Sequence, residues 1–191
     1  MRLDIIYEFS IRFSITGIMS SRRKNILITG TPGVGKTTLV KKLLTQLEHL
    51  KATGFYTQEI REGRIRQGFE LVDLNGQKSV LSHTRIKSPF RVGKYGVDVE
   101  RFDEFLKAAN FLESQTELIV IDEIGKMECC SDRFISLMRT ILDSDTLVIA
   151  TIAQKGGGFI AEIKERHDIR VFELTLENRG RLAHEVLSEI F

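Results

Sequence analysis

The chain has 191 residues, of which 42% are hydrophobic and 28% charged, and its net charge is +2. That length and balance suit one globular domain with a full core, while the charge is too near neutral to argue for a nucleic acid or an anionic membrane as partner. No apolar run reaches the roughly 20 residues of a membrane-spanning helix.

The first 18 residues stand apart. Leu3, Ile5, Tyr7, Phe9, Ile11, Phe13 and Ile15 alternate with mostly polar residues, a strand signal. Asp4, Glu8 and Arg12 interrupt any signal-peptide core. The segment reads either as an edge strand or appended tail, or as residues upstream of a true start at Met19. Residues 19–191 read as a single domain without linker, repeat or low-complexity tract. Asn25 to Thr29 forms a short apolar strand, and a helix follows from about Lys36 to Leu50 with Leu39, Val40, Leu43, Leu44 and Leu47 on one stripe. Gly54–Glu62, Ile65–Leu74 and Gln77–Ser82 read as an antiparallel meander with turns at Glu62-Gly63-Arg64 and Asn75-Gly76. Arg85 to Val97 reads as a loop broken by Pro89, Gly93 and Gly96. Asp98 caps an expected helix from Val99 to Glu113. Leu118 to Ile121 is a buried strand. Ser131 caps a helix carrying Phe134, Met138, Ile141 and Leu142. Thr146–Ile152 and Arg170–Leu174 are further strands, and Leu182, Val186 and Ile190 mark the last helix. Continuous apolar strands between amphipathic helices predict an α/β fold, a three-layer sandwich around a mainly parallel sheet with an inserted meander.

Cys129 and Cys130 are adjacent, so a disulfide between them would be strained, and both read as small apolar residues in a reducing cytoplasm. The four histidines are scattered and make no metal-ligand spacing with them.

Gly30, Thr31, Pro32, Gly33, Val34, Gly35, Lys36 and Thr37 complete the pattern G-x-x-x-x-G-K-[ST], between an apolar strand and an amphipathic helix. Glycines let backbone N–H groups converge on phosphate oxygens, and the helix start adds the positive end of its dipole. Lys36 is placed to reach the β- and γ-phosphates, and Thr37 to offer its hydroxyl to magnesium. Thr38 reads as a helix residue near the α-phosphate. A second segment, Ile119, Val120, Ile121, Asp122, Glu123 and Gly125, completes the nucleotide-binding set. Its strand ends in acids at the sheet edge where ligands of open α/β sheets sit. Asp122 is assigned to magnesium, and Glu123 to orienting or deprotonating a water that attacks the γ-phosphate. Asp122-Glu123-Ile124-Gly125 also fits the D-x-x-G of GTP switches, but no [NT]-K-x-D run accompanies it, so strict guanine specificity is not supported. Thr151, at the end of its strand, is either a contact to the γ-phosphate or water, or an ordinary β-branched strand residue.

The chain resembles the cancer-related nucleoside-triphosphatase family from about Asn25 to the C-terminus. The resemblance rests on the phosphate loop through Thr38, Gly54-Phe-Tyr-Thr57 with Glu59-Ile-Arg61, Gly93-Lys-Tyr-Gly-Val-Asp-Val99, Ile121-Asp-Glu-Ile-Gly-Lys-Met-Glu128, Ala150-Thr-Ile152 and Leu174-Thr-Leu-Glu-Asn-Arg179. It implies slow, magnesium-dependent hydrolysis of several nucleoside triphosphates to diphosphate and phosphate. It also implies a sheet of the RecA-like branch, with one strand between the phosphate-loop strand and the Asp122 strand. Cys129-Cys130 and Gly156-Gly157-Gly158 depart from the family pattern.

Further candidates are Lys126 and Glu128, lining the γ-phosphate side or merely solvating the turn. Asn178 and Arg179, at the start of the last helix, are contacts to base or phosphate, or a surface cap. Arg166 is an arginine-finger candidate, and Tyr95 a base-stacking one in a mobile loop with Arg91 and Lys94. Arg61 and Arg64 read as solvated. Two alternatives to a triphosphatase are a nucleotide or small-molecule kinase on the same scaffold, and a nucleotide-controlled binding module. A monomer is the default, since no heptad seam is present.

Overall fold

The structure, a computed structural model, describes residues 24–191; the N-terminal extension of residues 1–18, with its alternating apolar pattern, lies outside the described residues. In chain order the strands are β1 (Asn25–Thr29), β2 (Ala52–Glu62), β3 (Ile65–Asp73), β4 (Lys78–His83), β5 (Arg91–Val92), β6 (Tyr95–Val97), β7 (Leu118–Ile124), β8 (Leu147–Ile152) and β9 (Ile169–Glu173). The helices are α1 (Lys36–Gln46), α2 (Val99–Ala108), α3 (Asp132–Asp143), α4 (Phe159–Lys164) and α5 (Leu182–Ile190), with a 3-10 turn at Glu128–Cys130.

The nine strands of the described residues join one sheet in the order β5-β6-β4-β3-β2-β7-β8-β1-β9. The β2, β7, β8, β1 and β9 neighbours pair in parallel, and the remainder pair antiparallel. Every residue of β1 and β8 is buried, as expected of strands covered on both faces. Residues alternate between the two faces of each strand. Ile26, Ile28, Val120 and Ile149 pack under α1 and α5, while Leu27, Ile119, Ile121, Val148 and Ala150 pack under α2, α3 and α4. This is the expected three-layer sandwich, and β8 lies between the phosphate-loop strand β1 and the acid-tipped strand β7.

The meander is less of an insertion than its turns suggested. The first half of β2 pairs in parallel with β7 from Ala52↔Leu118 to Tyr56↔Asp122, so the meander continues the central sheet. Phe55, fully buried on this strand, sits among Phe102, Phe105, Phe111 and Phe134 with ring centroids 5.7–6.4 Å away. Such aromatic pairs contribute about 0.5–1.5 kcal/mol each beyond their burial. That cluster also explains why α2 ends at Ala108 rather than Glu113: Ala109 turns extended, and Phe111 reaches Phe55 from the following loop. The segment expected as a loop from Arg85 to Val97 contains the β5–β6 hairpin, paired Arg91↔Gly96 and Val92↔Tyr95.

Candidate active site

The phosphate loop leaves β1 at Gly30. A Cβ there would lie 2.6 Å from the Leu174 carbonyl oxygen, so the loop and the segment after β9 approach each other through a residue without a side chain. Val34 N–H donates to Thr31 O at 3.2 Å and closes the loop. Gly35 then caps α1 at φ 111° with no side-chain hydrogen bond to the first turn. α2 and α3 are capped instead by the Asp98 and Ser131 side chains, as their sequences predicted. The first N–H groups of α1 are therefore left for an external acceptor, which is the anion-binding arrangement of a helix N-terminus. Thr31, Pro32, Gly33 and Thr38 are exposed and Val34 is buried.

Lys36 folds back over this loop. Its Nζ donates to Gly30 O at 3.2 Å and lies 3.6 Å from Glu123 Oε2. Thr37 Oγ1 donates to Asp122 Oδ2 at 2.5 Å, joining residues 85 apart in the chain. Thr151, on neighbouring β8, donates its hydroxyl to the other oxygen, Asp122 Oδ1. Asp122 is 2% exposed. Burial raises its pKa, while the two threonine hydroxyls, Lys36 and Lys41 oppose the rise. Glu123 is also raised, chiefly by burial and further by Asp122, with Lys36 pulling the other way. The donor set at Thr37 and Asp122 is all oxygen, one hydroxyl and one carboxylate. It fits magnesium, which binds through one or two protein carboxylates and substrate phosphates and keeps several of its waters.

The other candidates separate. Thr151 joins the centre. Gly125 is buried just beyond it, contacting the Glu123 and Glu128 carboxyl groups. Ile119, Val120 and Ile121 leave the nucleotide-contacting set, because they are at most 1% exposed and lie within the two apolar layers. Tyr95 is corrected as well. It is 7% exposed, its ring is edge-on to Phe69, and its hydroxyl accepts from Arg66 Nε at 3.0 Å. A ring packed into the sheet in this way has no free face for a base. Lys126 is exposed, with its carbonyl accepting from Cys130 Sγ at 3.3 Å. Cys129 and Cys130 are free thiols packed against the core, and burial pushes Cys129 up to about 12, which fits the inert apolar reading.

Asn178 and Arg179 precede α5 rather than opening it. Asn178 holds a turn, accepting from Thr175 N–H at 2.8 Å and donating to Glu173 O at 2.7 Å, while Arg179 is exposed. Arg61 is held by Glu59 and by Arg64 O, and Arg64 is exposed. The loop after Thr151, made pliable by its three glycines, is pinned at its start: Lys164 Nζ donates to Ala153 O at 2.6 Å and Gln154 O at 2.8 Å.

Arg166 is not an arginine finger to this centre. It binds Asp168 and Asp143 at 2.7 and 2.8 Å, and Asn25 Nδ2 joins Asp168 at 3.0 Å. These residues mark the starts of β1 and β9 and the end of α3, at the edge of the sheet opposite the phosphate loop. Arg166→Ala is expected to lower the thermal midpoint slightly while leaving turnover per folded molecule within about twofold, since partly exposed ion pairs contribute about 0–1 kcal/mol and these lie away from the phosphate loop. A parallel melt and rate assay checks this.

One contributor, Lys41, was missed in the sequence, and another, Glu128, was left with two readings. Lys41 lies 3.9 Å over the Tyr56 ring, and Tyr56 is the register partner of Asp122. Lys41 is four residues after Thr37, hence on the same face of α1, a spacing that would have marked it. Glu128, only an optional contributor in the sequence, is 4% exposed. Burial pushes its carboxyl up to about 8, with Glu123 and Asp122 adding to the rise and the N–H groups of Glu128 and Gly125 opposing it.

Comparison with known proteins agrees with this geometry. The model of the NTPase family matches residues 25–187, from the first residue of β1 into α5. The nucleoside-triphosphatase THEP1 of Thermotoga maritima is 46% identical over 164 residues, 85% of this chain and 93% of that protein. The crystal structure of THEP1 from Aquifex aeolicus superposes with a TM-score of 0.76 at 38% identity, covering 87% of this chain and 98% of the other. The solution structure of a human cancer-related nucleoside triphosphatase gives 0.72 at 36% identity, covering 86% and 96%. Among the described residues no helix is long and apolar enough to cross a membrane. With a phosphate loop facing an acid-tipped strand and likeness running through the whole sheet, this chain belongs to the NTPase family of nucleoside-triphosphatases, which are hydrolases.

Proposed function

We propose that this chain hydrolyses several nucleoside triphosphates, ATP and GTP among them, to diphosphate and phosphate with magnesium. Thr37 and Asp122 would hold the ion, which when bound neutralises charge on the phosphate oxygens. The phosphate-loop N–H groups bind the triphosphate, and Lys36 sits against its β- and γ-phosphates. Glu123 orients a water for in-line attack and takes its proton as the new P–O bond forms and the bond to the diphosphate breaks. The observation that carries this reading is the 2.5 Å contact between Thr37 and Asp122, made beside the Lys36–Glu123 pair. Thr151 is a positioning residue, since its hydroxyl fixes the second oxygen of Asp122.

Breadth of base follows from where recognition is concentrated. The phosphate loop, Lys36, Thr37 and Asp122 all address phosphates or their metal, and no [NT]-K-x-D run is present to read guanine. The expected result is phosphate release from ATP, GTP, CTP and UTP with kcat/KM values within about tenfold of one another, the span of 1.4 kcal/mol in binding, and loss of release on chelating magnesium. A preference of more than a hundredfold for one base would contradict the breadth. Triphosphate loss that needs an added acceptor and yields no free phosphate would favour the kinase reading instead.

A further inference from the structure

Glu128 is a buried carboxyl that the proposed mechanism does not use. It begins the 3-10 turn after β7 and is 4% exposed. Its Oε2 lies 2.7 Å from the point a Cβ on Gly125 would occupy, and Glu123 Oε1 lies 2.8 Å from the same point. Both carboxyl groups therefore crowd the same point over Gly125, in space that an alanine there would fill. The N–H groups of Gly125 and of Glu128 itself donate to the Glu128 carboxyl, and among the described residues no Lys, Arg or His is among the groups that act on it. A buried carboxylate without a countercharge is costly and neutralises instead.

We infer that Glu128 is a positioning residue for Glu123, its uncharged carboxylic acid packing across Gly125 so that the Glu123 carboxylate stays against Lys36. This rests on the role proposed for Glu123. A neutral acid confines its neighbour without repelling it. An ionised one would add a further negative charge beside Asp122 and Glu123. The charged groups around Glu128 are Asp122 and Glu123 from β7, with Lys36 of α1 beyond Glu123. From its own turn come Cys129 and Cys130, both raised by it after burial. Asp132 and Arg133, at the start of α3, point into solvent.

The sign of the stability effect is fixed by the same chemistry. An acid whose pKa is higher folded than unfolded costs nothing below its unfolded value, near 4.5, where both states hold the proton. The cost grows as pH rises toward the folded value of about 8. Glu128→Gln, the same shape without the ionisation, should match the wild-type melting midpoint near pH 4.5 and exceed it by a growing margin up to about pH 8.

The test pairs that melt series with kinetics of Glu128→Gln and Glu128→Ala. At pH 7 the glutamine variant should keep kcat within about threefold. The alanine variant should lose about tenfold to a hundredfold in kcat with KM little changed, as expected when a reacting group is displaced by about 1 Å. The inference is overturned if the glutamine variant is as impaired as the alanine one, if the alanine variant keeps its kcat, or if the melting difference does not change with pH. Failure of the Glu123 role would appear separately, as turnover surviving in Glu123→Gln, and would leave the melt series unaffected.

Discussion

Lys36→Ala is expected to lose both tight triphosphate binding and turnover, with the rate falling by about 10²–10³ or more, the scale for removing one pre-organised stabilising group. The side chain of Lys36 is 11% exposed, and its ammonium lies between the Gly30 carbonyl and the Glu123 carboxylate. Among the described residues it is the cation that pairs with Glu123, and it also acts on Asp122. Without it, Glu123 would lose the cation it pairs with, and Asp122 would keep the smaller contribution of Lys41. Lys36→Arg should not restore activity, because a planar guanidinium is bulkier than a compact ammonium and directs its donors differently. Nucleotide titration and phosphate release, with a melting curve to confirm folding, check the result. A Lys36→Ala protein that binds and turns over ATP normally would remove the phosphate loop from the account.

Glu123→Gln is expected to behave differently. Glutamine keeps the shape and the space over Gly125 but cannot take a proton. Affinity for the triphosphate should stay within about threefold, while turnover falls by about 10²–10⁴, the usual worth of general-base help. The separation of binding from rate is what distinguishes this residue from Lys36. Equal losses in both quantities would mean that Glu123 serves binding, and the 3.6 Å contact with Lys36 would then be its main role.

The chemistry at the end of β7 was legible because it is local. The phosphate loop and the two acids each occupy a few consecutive residues bounded by an apolar strand, and the caps at Asp98 and Ser131 are local signals as well. What escaped depends on contacts between distant segments. The parallel pairing of Ala52–Tyr56 with β7 cannot be read from the turns that make the meander legible. Ala109 carries the helical period of Phe102 and Leu106 onward, yet the chain turns extended there, and Phe111 joins the Phe55 cluster from a loop. Tyr95 has an amphipathic ring suited to stacking, and only its strand pairing shows that ring to be packed. Arg166 looked available until Asp143 and Asp168 appeared beside it. Burial of Glu128 is likewise a property of the folded turn, since its sequence neighbours Lys126 and Asp132 are exposed.

The central claim is that the Lys36, Thr37, Asp122 and Glu123 centre passes a γ-phosphoryl group to water. The most direct measurement is a time course of free phosphate and nucleoside diphosphate from ATP with magnesium and no acceptor, wild type beside Glu123→Gln. The account predicts equal amounts of the two products over many turnovers in the wild type, and near-complete loss of both in the variant despite bound ATP. Tight binding of ATP by the wild type without release of phosphate would contradict it.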